Sequence, residues 1–177
     1  MFDNLLEDLR AKARYCCGDQ SFKSVVRILF WDGTLTVILY RLASFFRDYH
    51  LGLVGAVVSK INTILTLAVI GRGAKFGAGL VVLHSIGLVI NTKVVGGSGI
   101  LIENDVTIGM EKGKAPVLGN SIYIGCGARI IGGVKIGNNV RIGANAVVIK
   151  DVPDGVTVVG VPANVVKIST GDNDSVS

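Results

Sequence analysis

From Ile70 onward a large apolar residue recurs at every sixth position: Ile70, Phe76, Val82, Leu88, Val94, Ile100 and Val106, then Leu118, Ile124, Ile130, Ile136, Ile142 and Val148. Position 112 is skipped. The next residue is often glycine (Gly71, Gly77, Gly119, Gly125, Gly137, Gly143), and the fifth position is small or β-branched (Ala74, Thr92, Ser98, Ala128, Val134, Val140, Ala146). A period of six is neither that of a helix nor that of a lone strand, and it predicts a solenoid of triangular coils, each side about one hexad long. The apolar residues point into the shaft, and Gly or Asn supplies the left-handed backbone at the corners. One coil cannot bury its own face, so the coils must stack into parallel sheets around a continuous core. Between Gly109 and Val117 the stretch GMEKGKAPV breaks the register and predicts a loop that leaves the shaft.

Upstream the period is helical. Leu5, Leu6 and Leu9 follow Asp3, a good N-cap, and predict an amphipathic helix over residues 4–14, with a loop over Cys16–Ser21. Helical patterns resume over about 22–48 and 52–67, with breaks at Asp32-Gly33 and His50–Gly52. The chain divides into an N-terminal helical region (1–68), a β-solenoid domain (69–168) and a flexible tail (169–177). The last segment before the tail, DVPDGVTVVGVPANVVKI, ends the coil.

Composition sharpens this picture. The 177 residues are 50% hydrophobic but only 6% aromatic, with 24 glycines, as a backbone-driven repeat requires. Cys16, Cys17 and Cys126 show neither a CxxC pair nor metal-ligand spacing, which suits a reducing compartment and predicts no metal. The net charge of +5 comes from singly spread basic residues with almost no aromatic interleaving, which argues against nucleic acid and for a small phosphorylated ligand. MFDNLLEDLR is acidic where a signal peptide is basic, so a cytoplasmic location is expected. Residues 24–46 and 51–70 are apolar but carry Arg27, Asp32, Arg41 and Lys60, too costly for a bilayer span. Phe30, Trp31, Phe45 and Phe46 with Arg27, Arg41 and Arg47 leave open a face resting on the inner leaflet of the membrane, against plain packing under a domain.

Candidate chemistry is sparse. The chain has no Walker-type phosphate loop, no Gly-x-Ser-x-Gly and no His/Cys cluster. Of its two histidines, His50 falls in an interhelical turn, whereas His84 lies inside the repeat in VVLHSIG. A neutral imidazole there could take a proton from a hydroxyl as it attacks a thioester and return it to the leaving thiolate.

The stretches IGRGAKFGAGLVVLHSIGLVI, LIENDVTIG, YIGCGARIIGGVKIGNNVRIGANAVVIKDVP and GVPANVV make the chain resemble the serine O-acetyltransferase branch of the hexapeptide-repeat acyltransferases. In outline, through LLEDLRA and VINTKVV, it is also similar to O-acetyltransferases of bacterial surface-polysaccharide clusters, including the colanic acid type. The resemblance implies a mainly β fold, a left-handed parallel β-helix preceded by a short α-helical region. It implies acetyl-CoA as co-substrate and a homotrimer with active sites between subunits. By position, His84 matches the catalytic base; Gly109 and Met110 match the contacts to thioester and pantetheine. Cys126 and Ala144 match the small residues lining the pantetheine groove, and Arg141 lies near the nucleotide end.

Four residues of the family's amino-acid site differ: Leu83 and Cys16 stand where the family has serine-contacting Asp, Val69 where it has the Asp that orients the base, and Ala115 where it has a second His. Losing such partners weakens recognition of a charged acceptor. The expected function is therefore acetyl transfer to a sugar hydroxyl in a surface or exported polysaccharide precursor. Serine O-acetylation for cysteine biosynthesis is the alternative within enzymes, and a non-catalytic solenoid scaffold is the alternative outside them. A backbone carbonyl, Glu103 or Asp105 is expected to orient His84 in place of the missing Asp.

Overall fold

The computed structural model describes residues 2–168; the expected flexible tail, 169–177, lies outside the described residues. Four helices come first: α1 (Phe2–Cys17), α2 (Phe22–Ile28), α3 (Thr34–Asp48) and α4 (Gly52–Thr66). Helix α1 runs on through Cys17, past the predicted end at residue 14, and Ser21 caps α2 by accepting a hydrogen bond from the Ser24 amide at 3.3 Å. The breaks fall at Asp32-Gly33 and near His50, as the glycine and turn signals predict; Gly33 (φ 74°) and His50 (φ 61°) are both left-handed.

Fifteen short strands then wind into three sheets forming a parallel β-solenoid. Sheet A stacks β1 (Val69–Ile70), β4 (Val89–Ile90), β7 (Thr107–Gly109), β10 (Arg129–Ile131) and β13 (Val147–Val148). Sheet B stacks β2 (Lys75–Phe76), β5 (Val95–Gly96), β8 (Val117–Leu118) and β11 (Lys135–Ile136). Sheet C stacks β3 (Val81–Val82), β6 (Leu101–Ile102), β9 (Tyr123–Ile124), β12 (Arg141–Ile142) and β14 (Val156–Val159), with β15 (Asn164–Ile168) added antiparallel as the closing edge.

All thirteen hexad positions are buried, none more than 6% exposed. Each such apolar side chain stabilises the shaft by roughly 1.5–3 kcal/mol relative to exposure. The register nevertheless differs from the unbroken one expected before residue 106. Val69 pairs with Val89, twenty residues on, whereas Val89 pairs with Thr107, eighteen on. The first coil therefore holds two extra residues, and the strand-inward positions move to Ile90, Ile102 and Ile108. Leu88, Val94, Ile100 and Val106 are buried at the neighbouring corner positions instead. Because those corner residues are all aliphatic, a count of every sixth residue hides the insertion. A second insertion is the loop after β7: Val95 pairs with Val117, twenty-two residues on, and Glu111 bridges Lys114 in a small antiparallel turn.

The helices dock through polar groups. Arg41 holds Asp8 with two nitrogens (Nε 2.8 Å, Nη2 3.1 Å) and donates to the carbonyls of Phe76 (2.8 Å) and Gly77 (2.6 Å). Asp8 in turn accepts the Leu80 amide at 2.8 Å, and Tyr40 donates to the Ala74 carbonyl at 2.9 Å. Thus α1 and α3 lie on β3 and its approach, while α4 leads directly into β1. Of the residues offered for a membrane-facing patch, Arg41 is 6% exposed and holds Asp8, and Arg47 is tied to Asp48 and to the Arg72 carbonyl, whereas Phe30 is 87% exposed. Among the described residues no helix is long and apolar enough to cross a membrane.

Candidate functional site

The two extra residues of the first coil are His84 and Ser85. Backbone bonds align Leu83 with Glu103 (their amides reach the Ile102 and Ile124 carbonyls) and Ile86 with Asn104 (their carbonyls take the Asp105 and Gly127 amides). Only residues 84 and 85 remain unmatched between those anchors. Gly87, Asp105, Gly127 and Asn145 then form one column of left-handed corner residues (φ 77°, 55°, 70° and 57°). The His84–Ser85 bulge is therefore an outward step in an otherwise regular corner, with Ser85 buried and the imidazole 60% exposed.

Facing it is the turn between α2 and α3. Asp32 Oδ2 lies 3.4 Å from His84 Nδ1. That carboxylate, contributed by the helical region, stands where Glu103 or Asp105 was expected to orient the base. Asp105 is instead engaged with Arg129, both carboxylate oxygens lying 3.1 Å from Nη2. Glu103 lines the same cavity as His84 but accepts from the Tyr123 hydroxyl at 3.4 Å; burial and the Glu103 carboxylate push the Tyr123 phenol up. Sequence reasoning missed Asp32 because Asp-Gly reads simply as a helix break. The signal was the pairing of a break with a carboxylate, which nothing local connects to a residue fifty-two positions later.

The cavity in front of His84 has a volume of about 500 Å³ and is lined by Lys12, Tyr15, Cys16, Phe30, Trp31, Asp32, Leu83, His84 and Glu103. Its floor is polar and its rim aromatic: Lys12 is 3% exposed, whereas Phe30 is 87% and Tyr15 54% exposed. Burial pushes the Cys16 thiol up, which leaves it protonated beside Lys12. On the other side of His84 a second hollow is formed by Asp32, Leu65, Thr66, Leu67, Ser85, Ile86 and Asn104.

The residues matched to the cofactor fall into two groups. Cys126 and Ala144 stack beneath Ile86 and Asn104 on one corner, because the Asn145 amide reaches the Cys126 carbonyl and the Gly127 amide the Asn104 carbonyl. Both are exposed. Arg141 lies three residues before Ala144 on sheet C, its guanidinium 4.6 Å from the Tyr123 ring centroid. Gly109 and Met110 lie at the opposite edge of sheet A, beside Ile131 and Gly132 at the base of the loop. A single chain therefore does not bring the two groups together. Among the described residues no group of three or more His, Cys, Asp or Glu side chains could hold a metal ion.

A family model described as bacterial transferase hexapeptide (six repeats) matches residues 115–150. A serine acetyltransferase of Helicobacter pylori (strain J99) is 36% identical over 143 residues, which is 78% of this chain and 84% of that protein. This chain belongs to the serine acetyltransferase family. A second serine acetyltransferase, from Synechococcus elongatus, is also 36% identical over 143 residues, but there the chain spans only 59% of the relative's length. Among solved structures, the Neisseria gonorrhoeae serine acetyltransferase superposes with a TM-score of 0.88 at 27% identity, covering 97% of this chain and 67% of that one. A serine acetyltransferase solved in complex with CoA superposes at 0.84 and 26% identity, covering 93% of this chain and 68% of that one. The names of these relatives favour the serine alternative over the polysaccharide expectation.

Proposed function

We propose that the chain transfers an acetyl group from acetyl-CoA to the hydroxyl of a small acceptor, with His84 as general base. The observation that carries this is the imidazole on an outward bulge with its Nδ1 against the Asp32 carboxylate. With the Asp32 carboxylate facing Nδ1, a proton carried there would leave Nε2 as the acceptor site. Nε2 takes the hydroxyl proton as the oxygen attacks the thioester carbon. The tetrahedral oxyanion collapses, the carbon–sulfur bond breaks, and the CoA thiolate recovers the proton from the imidazole. Cys126 and Ala144 would line the pantetheine arm, and Arg141 would meet the nucleotide end. Gly109 and Met110 would serve the thioester from a neighbouring copy; their distance across sheet A from His84 supports a homotrimer with sites between subunits.

L-serine is the acceptor we place first, on the names of the relatives and on the two carboxylates, Asp32 and Glu103, that an ammonium group would meet in the cavity. A sugar hydroxyl is the second reading. The exposed rings of Tyr15, Phe30 and Trp31 favour it, as does Lys12, whose ammonium already serves two backbone carbonyls and so is a poor partner for an amino-acid carboxylate.

Thiol release from acetyl-CoA by the wild-type chain and His84→Ala, offered L-serine or a panel of sugars, tests both levels. His84→Ala is expected to lose about 10²-fold or more in turnover, and a near-normal rate would remove His84 as the base. Serine-dependent release supports the first acceptor; sugar-dependent release with silence on serine replaces it with the second.

A further inference from the structure

Lys12 is a cation buried at the floor of the cavity, and the reaction as drawn gives it no part. Its ammonium donates to the Asp32 carbonyl and, at 2.8 Å, to the Val82 carbonyl. Those two carbonyls belong to the two segments that carry the site: Asp32 itself, and the strand residue two positions before His84. The same junction is closed from the other side by Gly33, where a side chain would collide with the Val82 carbonyl oxygen and approach that of Leu83. The α2–α3 turn thus lies directly on the backbone of β3, and Lys12, reaching across from α1, fastens the two. Burial of the ammonium lowers its pKa to about 8, which agrees with a group shielded from solvent in this slot.

We propose that Lys12 is a positioning residue: by pinning the α2–α3 turn to β3 it sets the separation between the Asp32 carboxylate and the His84 imidazole. This rests on the reading of His84 as the base. It gives the helical region a part in the reaction, since α1 supplies the clamp and the α2–α3 turn supplies the carboxylate. A misplacement of about 1 Å in such a pair can cost up to 10²-fold in rate without touching the reacting atoms.

The test is steady-state thiol release by the full chain, using acetyl-CoA with L-serine or, where serine is silent, the sugar that supports turnover. Lys12→Met, Asp32→Asn and the double variant are compared, with folding checked by circular dichroism. Lys12→Met is expected to lower kcat about tenfold with the KM for acetyl-CoA changed less than about twofold. The double variant should be no slower than Asp32→Asn alone, because the clamp acts through that carboxylate. Gly33→Ala disturbs the same junction without touching the ammonium and should show the same kcat loss and the same non-additivity; it carries the test if Lys12→Met does not fold. Additive losses, a change confined to KM, or a wild-type kcat in both single variants would overturn the proposal. So would a silent Asp32→Asn beside an inactive His84→Ala, which leaves the base standing and removes the clamp. A wild-type rate in His84→Ala would instead remove the base reading and the clamp with it.

Discussion

The helical region and the solenoid of this chain are held together by different physics. Among the described residues, the buried polar and charged side chains are Asp8, Lys12, Ser24, Thr34, Thr36, Arg41, Asn62, Thr66 and Ser85. All but Ser85 lie in the helical region. The solenoid's interior is aliphatic apart from Phe76, and the strands stay in pairing register from coil to coil across both insertions, so a core contact in a middle coil is backed by similar contacts above and below. The helices add single long-range polar attachments to a small apolar contact through Val37 and Tyr40: Asp8–Arg41 to the approach of β3, Tyr40 to the Ala74 carbonyl, Lys12 to β3 itself. Redundant apolar stacking makes a rigid scaffold, while sparse polar attachments make a part whose placement can be lost one bond at a time. The candidate site lies where the two meet, with the imidazole on the rigid part and its carboxylate on the other.

The largest expected effect comes from cutting the central attachment. Arg41→Ala leaves the Asp8 carboxylate buried without its cation and removes the donor to the Phe76 and Gly77 carbonyls. Breaking a buried pair by removing one partner costs about 3–5 kcal/mol. Thermal melting followed by far-UV circular dichroism should then show helical signal lost ahead of the β signal. A single cooperative transition at the wild-type temperature would mean that the helices hold without the pair.

Next in size, and directed at the other region, is Ile124→Ala. Ile124 is fully buried and lies between Ile102 and Ile142 in sheet C. Truncation costs about 2–5 kcal/mol, according to how far the shaft closes on the cavity. Because neighbouring coils support one another, the β and helical signals should fall together rather than in sequence. Early loss of the helices in this variant, with the solenoid intact, would invert the comparison.

The same contrast explains what the sequence revealed. The solenoid was legible because its stabilisation is periodic: a buried aliphatic every sixth residue is a local pattern, and the loop after Gly109 shows as a break in it. The two-residue step at His84–Ser85 was not legible, because Leu88, Val94, Ile100 and Val106 keep the unshifted frame fully apolar, while the true inward frame holds Gly96 between Ile90 and Ile102. His84 could still be singled out, through the resemblance whose motif places a base at that position. Asp32 could not. Its role depends on the docking of the α2–α3 turn, which Lys12 and Gly33 fix through contacts spanning 20 to 70 positions. A charge pair across that separation leaves no periodic trace. Glu103 and Asp105, nearer in register, were the reasonable candidates, and the structure gives them to Tyr123 and Arg129.

The smallest expected effect sharpens the comparison through pH. In the unfolded chain Lys12 keeps the ordinary lysine pKa near ~10.4, whereas burial in the folded chain lowers it to about 8. Below about pH 8 both states hold the proton, and the folded state carries the full penalty of a buried ammonium. Between about 8 and 10.5 the unfolded chain binds a proton that the folded chain has released, so this group's contribution to stability rises with pH. The neutral amine still has two N–H groups for the Asp32 and Val82 carbonyls, so the clamp survives its own deprotonation. The difference in Tm between wild type and Lys12→Met should therefore shift in favour of wild type from pH 8 to 10, while the difference between wild type and Ile124→Ala stays flat, since that substitution removes no titrating group. A flat profile for both would show that water entering from the cavity solvates the ammonium and keeps its pKa ordinary, so that the bonds to the Asp32 and Val82 carbonyls carry no burial penalty.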